Sequence, residues 1–112
     1  MSDKQIINAK RTIKSLFNQK KIELNKIILF GSYARNEQDS DSDLDLLIVS
    51  KSFRNKSIDS RINMALGLSK KLVNNIDVPF DILYYSDEEW ENSNSLILGE
   101  VKENGKMIYE MK

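Results

Sequence analysis

Apolar residues recur along this chain at two spacings, and the places where the spacing changes divide it into elements. Ile6, Ala9, Ile13, Leu16 and Phe17 fall on one face of a helix, with Lys and Arg on the other. Asp3 supplies a cap, and the pattern ends near Lys20. Lys26 to Phe30 is a short, nearly continuous apolar run halted by Gly31, the signature of a buried strand, and Leu44 to Val49 is a second one. Ile58, Ile62, Ala65, Leu66, Ser69, Leu72, Val73 and Ile76 fit one face of a single long helix. Val78 to Tyr85, entered through Pro79, makes a third strand. A helical turn over Asp87 to Glu91, a short helix over Ser95 to Glu103, a stop at Asn104-Gly105 and a last strand over Lys106 to Tyr109 complete the series. With a short helix from Ser32 between the first two strands, the order predicts one α/β (α+β) domain over residues 1–112. Its sheet is small and mixed, with helices packed on its buried face.

Composition narrows the chemistry. Seventeen basic and seventeen acidic side chains cancel, so the broad basic footprint of a duplex-binding surface is missing and no direct nucleic-acid partner is expected. Cysteine and histidine are both absent, which excludes thiolate catalysis, serine–histidine triads and most transition-metal sites. What remains is carboxylates, hydroxyls, Lys, Arg and a hard cation held by oxygen. The first residues lack the apolar core of a signal peptide and no stretch reaches membrane-spanning length, so the expected location is cytoplasmic, with no membrane partner.

Against that background the segment GSYARNEQDSDSDLDLLIVS, residues 31–50, stands out. Asp43 and Asp45 enter a strand two residues apart, so both point to one face, roughly 7 Å apart along the chain. Like carboxylates that close repel and raise each other's pKa unless a cation sits between them. Mg²⁺ answers that need and leaves coordination positions for phosphate oxygens. Gly31 permits close backbone approach to a ligand, a helix starting at Ser32 would aim free N–H groups at an anion, and Arg35 lies one turn on. Asp81, placed between Phe80 and Ile82 in an apolar strand, is the third carboxylate, as metal ligand or general base; its competitor Asp77 precedes Pro79 and reads as a strand-entry residue.

Blander readings apply to the rest. Asp-x-Asp alone is common at loop-to-strand junctions, and Gly-Ser after a strand is compatible with an ordinary turn. Glu37, Asp39 and Asp41 read as a solvated acidic loop, Trp90 as a packed aromatic, and the Lys10-Arg11, Lys20-Lys21 and Lys70-Lys71 pairs as polar helix faces. Of Tyr84 and Tyr85, one belongs to the core and the other lines the site.

The combination GSYAR followed by SDSDLDLLIV resembles the G-S-x10-D-x-D signature of the polymerase-β-like nucleotidyltransferase superfamily, and among its members the minimal nucleotidyltransferases (MNT). The resemblance runs over most of the chain and implies that fold. It further implies that Asp43 and Asp45 hold Mg²⁺, that Asp81 completes the carboxylate trio, and that Gly31 and Ser32 bind the triphosphate. Where many members read Ala-Arg-Gly this chain has Ala34-Arg35-Asn36; Asn is the next-best residue for a left-handed closing position. Stand-alone minimal members resemble the antitoxin of HEPN–MNT toxin–antitoxin pairs, which implies transfer of AMP from ATP to a tyrosine of a partner HEPN ribonuclease in a hetero-oligomer. Two other functions fit the same residues: neutralisation of the partner by docking alone, and nucleotidyl transfer to a small molecule of the aminoglycoside type.

Overall fold

The computed structural model describes residues 2–37 and 42–112; Asp39 and Asp41 of the expected acidic loop lie outside them. Among the described residues the α-helices and strands follow in the order α1 (Ser2–Lys20), β1 (Lys26–Phe30), β2 (Leu44–Val49), α2 (Ile58–Met64), α3 (Leu68–Asn75), β3 (Phe80–Tyr85), α4 (Asp87–Asn92), α5 (Leu96–Asn104) and β4 (Lys106–Glu110). Asp3, expected as a cap, falls inside α1. The strands form one sheet in the order β3-β2-β1-β4. β1 is antiparallel to both β2 and β4, whereas β2 and β3 run parallel, so the sheet is mixed. A parallel pair needs a crossover, and α2 with α3 provides it.

The alternation of side chains along β2 sorts the core into two parts. Leu44, Leu46 and Ile48 join Ile27 and Leu29 against α1 and α3, where Ile13, Phe17, Leu68 and Leu72 are almost fully buried. Leu47 and Val49 point the other way and form a smaller cluster with Ile28, Trp90, Leu98 and Val101 beneath α4 and α5. The main helical layer thus covers one face, as expected. The two short helices add a partial cover on the other. Trp90 is packed in that second cluster with the Lys102 ammonium 5.3 Å from its ring centre, and its role is structural. Tyr84 stacks edge-on against Phe53 at 5.7 Å on the α1 side, while Tyr85 packs with the second cluster.

The expected single helix over Ile58 to Ile76 is corrected. It is two helices, broken before Leu68 by Gly67 at φ +95°, a conformation costly for any residue with a Cβ. The break changes which residues face inward. Ala65, Leu72 and Ile76 are buried as predicted, but Ile58, Ile62, Leu66, Ser69 and Val73 are exposed, and Arg61 and Leu68 are buried in their stead.

Candidate active site

Strand register gathers the motif. Phe30 pairs with Asp45 across the antiparallel ladder, which brings Gly31, the next residue, against β2. On the other side Asp45 pairs with Asp81 in the parallel ladder. Asp43 lies two residues before Asp45 and therefore faces the same way. The three carboxylates sit on the face opposite the α1–α3 layer, at the end of the sheet away from α4. Asp45 is half-buried, Asp43 and Asp81 are exposed.

Gly31 is required here for two reasons. Its φ is +74°, and a Cβ added to it would overlap Asp45 Oδ2 and lie 3.2 Å from Asp45 Cγ. The ordinary-turn reading of Gly-Ser does not account for this second requirement. Any other residue at 31 would have to displace the Asp45 carboxylate as well as hold the left-handed backbone.

The predicted helix from Ser32 is a single 3-10 turn over Gly31–Tyr33. Three residues carry little macrodipole, so any attraction for phosphate comes from individual N–H groups rather than from a helix end. The loop closes on Ser32, whose carbonyl accepts from the N–H groups of Arg35 at 3.2 Å and Glu37 at 2.9 Å. Asn36 takes φ +56°, the left-handed position anticipated for the residue that replaces Gly. Arg35 does not point at the carboxylates: its Nε donates to Glu37 Oε1 at 2.9 Å. Its field still lowers the Asp45 pKa, and Glu100 on α5 lies within electrostatic reach of it. Glu37 was read as plain loop charge, and Arg-x-Glu was the local signal that it pairs with Arg35 instead.

Electrostatics single out Asp45. Burial, then the neighbouring charges of Asp81 and Asp43, push its carboxyl above the usual carboxylate range, and Arg35 offsets only part of this. Among the described residues no three acidic side chains are gathered tightly enough to close on an ion unaided. The donor set nonetheless fits a hard cation: all are carboxylate oxygens, they share one face, and the charge on Asp45 is one that a cation would relieve. Asp43, Asp45 and Asp81 could hold Mg²⁺, with Gly31 leaving room for phosphate beside Asp45. Asp77 lies outside this group, before β3, its backbone N–H donating to Gln5 Oε1 at 2.8 Å. Burial pushes the Tyr84 hydroxyl up to about 12, which suits a core residue and not an acid–base group.

Residues 11–112 match the family described as Polymerase beta, Nucleotidyltransferase. The chain belongs to this family. Its four-stranded mixed sheet is the nucleotidyltransferase fold, and the chain is a nucleotidyltransferase by family. A relative from Methanocaldococcus jannaschii, named "Putative protein adenylyltransferase", is 31% identical over 108 residues, spanning 92% of this chain and all of the relative. Among solved structures, a toxin–antitoxin assembly with AMP-PNP superposes with TM-score 0.63 at 22% identity, over 91% of this chain and 73% of the other. A second is the tri-AMPylated Shewanella oneidensis HEPN toxin in complex with MNT antitoxin, with TM-score 0.54, 26% identity, and 96% and 73% coverage. Among the described residues of this nucleotidyltransferase no helix is long and apolar enough to cross a membrane.

Proposed function

We propose that this nucleotidyltransferase is a Mg²⁺-dependent protein adenylyltransferase. It moves AMP from ATP onto a hydroxyl of a partner protein, a tyrosine of a HEPN toxin, and so acts as that toxin's antitoxin within a hetero-oligomer. The observation that carries the reading is the placement of Asp45 between Asp43 and Asp81, directly against Gly31. The relative named for protein adenylylation and the neighbour holding an AMPylated HEPN toxin supply the acceptor class; the neighbour with AMP-PNP supplies the donor.

In this reading the backbone at Gly31 and the Ser32 hydroxyl seat the triphosphate. Arg35 leaves Glu37 for the phosphates, a stronger charge-assisted contact than an exposed pair. Asp43, Asp45 and Asp81 would hold Mg²⁺, which would supply charge neutralisation at the phosphates while pyrophosphate leaves the α-phosphorus. Asp81 is exposed; it orients the incoming hydroxyl and takes its proton as the oxygen joins the α-phosphorus. Nucleotidyl transfer asks mainly for positioning and charge stabilisation, so a chain without His or Cys lacks nothing it needs.

The test is transfer of label from ATP marked at the α-phosphate, with Mg²⁺, to proteins in a lysate of the source cell. An Asp43→Asn, Asp45→Asn double variant runs alongside. A labelled protein band that vanishes in the variant supports the reading. Full protection from the toxin by a double variant that still binds it would leave docking as the function, and label on small molecules alone would move the acceptor to that class.

A further inference from the structure

Helix α2 buries an arginine and leaves apolar residues facing outward. Arg61 is only 6% exposed, whereas Ile58, Ile62 and Leu66, successive i, i+4 positions, are 69%, 49% and 65% exposed. Arg61 Nη1 donates to the Tyr84 carbonyl at 2.9 Å and to Glu89 Oε1 at 2.7 Å. Its Nε is buried without an acceptor. Buried donors are almost always paired, so this orphan sets the Arg61 wall apart.

That wall belongs to a cavity of about 160 Å³ between α2 and β3. Ile58, Arg61 and Ile62 line it from the helix. From the strand it takes Ile82 and Tyr84 of one face and Leu83 and Tyr85 of the other, which happens only over a strand's edge. β3 is terminal in the sheet. Leu44 N–H donates to the Pro79 carbonyl at 2.8 Å and Ser50 N–H to the Tyr85 carbonyl at 3.0 Å. In a parallel ladder this phase turns the peptide groups of Phe80, Ile82 and Tyr84 outward. Arg61 occupies the Tyr84 carbonyl, which leaves Phe80 and Ile82, the two residues that flank Asp81, as the pairing positions.

We propose that this edge is the docking track for the protein acceptor. An extended, apolar stretch of the acceptor pairs with Phe80–Ile82, packs on Ile58 and Ile62, and thereby carries its hydroxyl to Asp81. This rests on the protein-acceptor reading above and adds where the acceptor binds. Two features select a peptide segment as the occupant. The volume is well below the roughly 300–1,000 Å³ of small-molecule sites and suits one apolar side chain. Edge pairing supplies main-chain hydrogen bonds while such a pocket supplies specificity. At about 3.3 Å per residue, a segment seated at Ile82 reaches Asp81 within one or two residues of its own length.

The experiment uses the acceptor protein recovered in the labelling assay, purified, and compares transfer kinetics of the wild type with Ile62→Glu, Ile58→Glu and Val73→Glu. Val73 is 66% exposed on α3 and does not line the cavity, so it controls for surface charge. The expected result is a rise of about tenfold or more in KM for the acceptor in the first two variants, with kcat and MgATP binding by calorimetry within about twofold of wild type. Val73→Glu leaves all three unchanged, and added acceptor slows amide exchange at Ile82. If either Ile variant labels its acceptor with unaltered KM, the docking track is wrong while the adenylyltransferase reading stands. If the wild type labels no protein, both fall. If the protein alone sediments as a dimer that Ile62→Glu dissociates, the groove belongs to a second copy and the proposal is overturned. Loss of MgATP binding in Ile62→Glu would mark a folding defect, and Ile58→Glu, at the more exposed position, then decides.

Discussion

Asp81 and Asp87 stand at the two ends of β3, and their surroundings are opposite. Asp87, just past the strand, receives Arg54 in a bidentate pair, Nε to Oδ1 at 2.8 Å and Nη2 to Oδ2 at 2.6 Å. Two residues on, Glu89 holds the buried Arg61 and closes a capping box with Ser86. The Arg54 hydrogen bond draws the Asp87 pKa down; for Glu89 burial works against ionisation, but Arg61 and Ser86 outweigh it and its pKa is lowered too. At the other end Asp81 faces Asp45, and among the described residues no ion pair reaches either. Burial and its acidic neighbours hold Asp45 up. One end of the strand spends its carboxylates on anchoring α4 and α2. The other keeps them uncompensated, a state that lowers stability and suits a site waiting for a cation.

The sharpest way to break this contrast is Asp45→Asn. Transfer should fall by at least about 10³-fold, the loss of several kcal/mol of charge stabilisation, measured as label incorporated per enzyme. Without metal the same variant should melt higher, by a few degrees, because like charges directly opposite cost about 0.2–1 kcal/mol. An unchanged rate would show that the uncompensated end is not the reacting one. Gly31→Ala comes next. It places a Cβ against Asp45 at a positive φ, and should lower activity about 10²-fold through misplacement and cost about 1–2 kcal/mol in urea titration.

At the compensated end, Glu89→Gln should destabilise by about 2 kcal/mol, since it keeps an acceptor for Arg61 but leaves that buried guanidinium without a counter-charge; MgATP affinity should stay as it was. The smallest effect belongs to Arg54→Gln, whose exposed pair matters mainly through pH. Because the folded Asp87 pKa is lowered, its contribution is present above the ordinary carboxylate range and disappears as pH falls through the lowered value. Wild type and variant should therefore differ in melting temperature near neutrality and converge in acid. Asp45 has the reverse sign: its raised pKa favours the fold at low pH, and that advantage is lost as pH rises through the raised value. Melting curves of Asp45→Asn and Arg54→Gln against pH should thus diverge from wild type on the same side of the carboxylate range but in opposite directions.

Much of this was open to reading from residue order, and the exceptions have physical causes. α1, all four strands and the carboxylate trio follow from spacing, because a strand's period of two and a stop at Gly31 leave few alternatives. The helix over Ile58 to Ile76 failed because an apolar count treats Ile62 and Leu72 alike. Gly67 resets the helical phase between them, and the inward slot at 61 is taken by an arginine whose partner, Glu89, is remote in sequence. Ser86-Asp87-Glu88-Glu89 did carry a readable capping-box signal, and with it the start of α4. The overlap between a Gly31 Cβ and Asp45 had no local signal at all, since it arises from pairing across the ladder.

The parallel register between β2 and β3 also sets when the site comes into being. β1 and β2 are close along the chain and can pair early, as local contacts do. Asp45 meets Asp81 only after the chain has passed through α2 and α3 and returned. During synthesis, then, a growing chain carries Gly31, Ser32, Asp43 and Asp45 for some time without a third carboxylate, which arrives with β3 at one edge of the sheet before β4 closes the other.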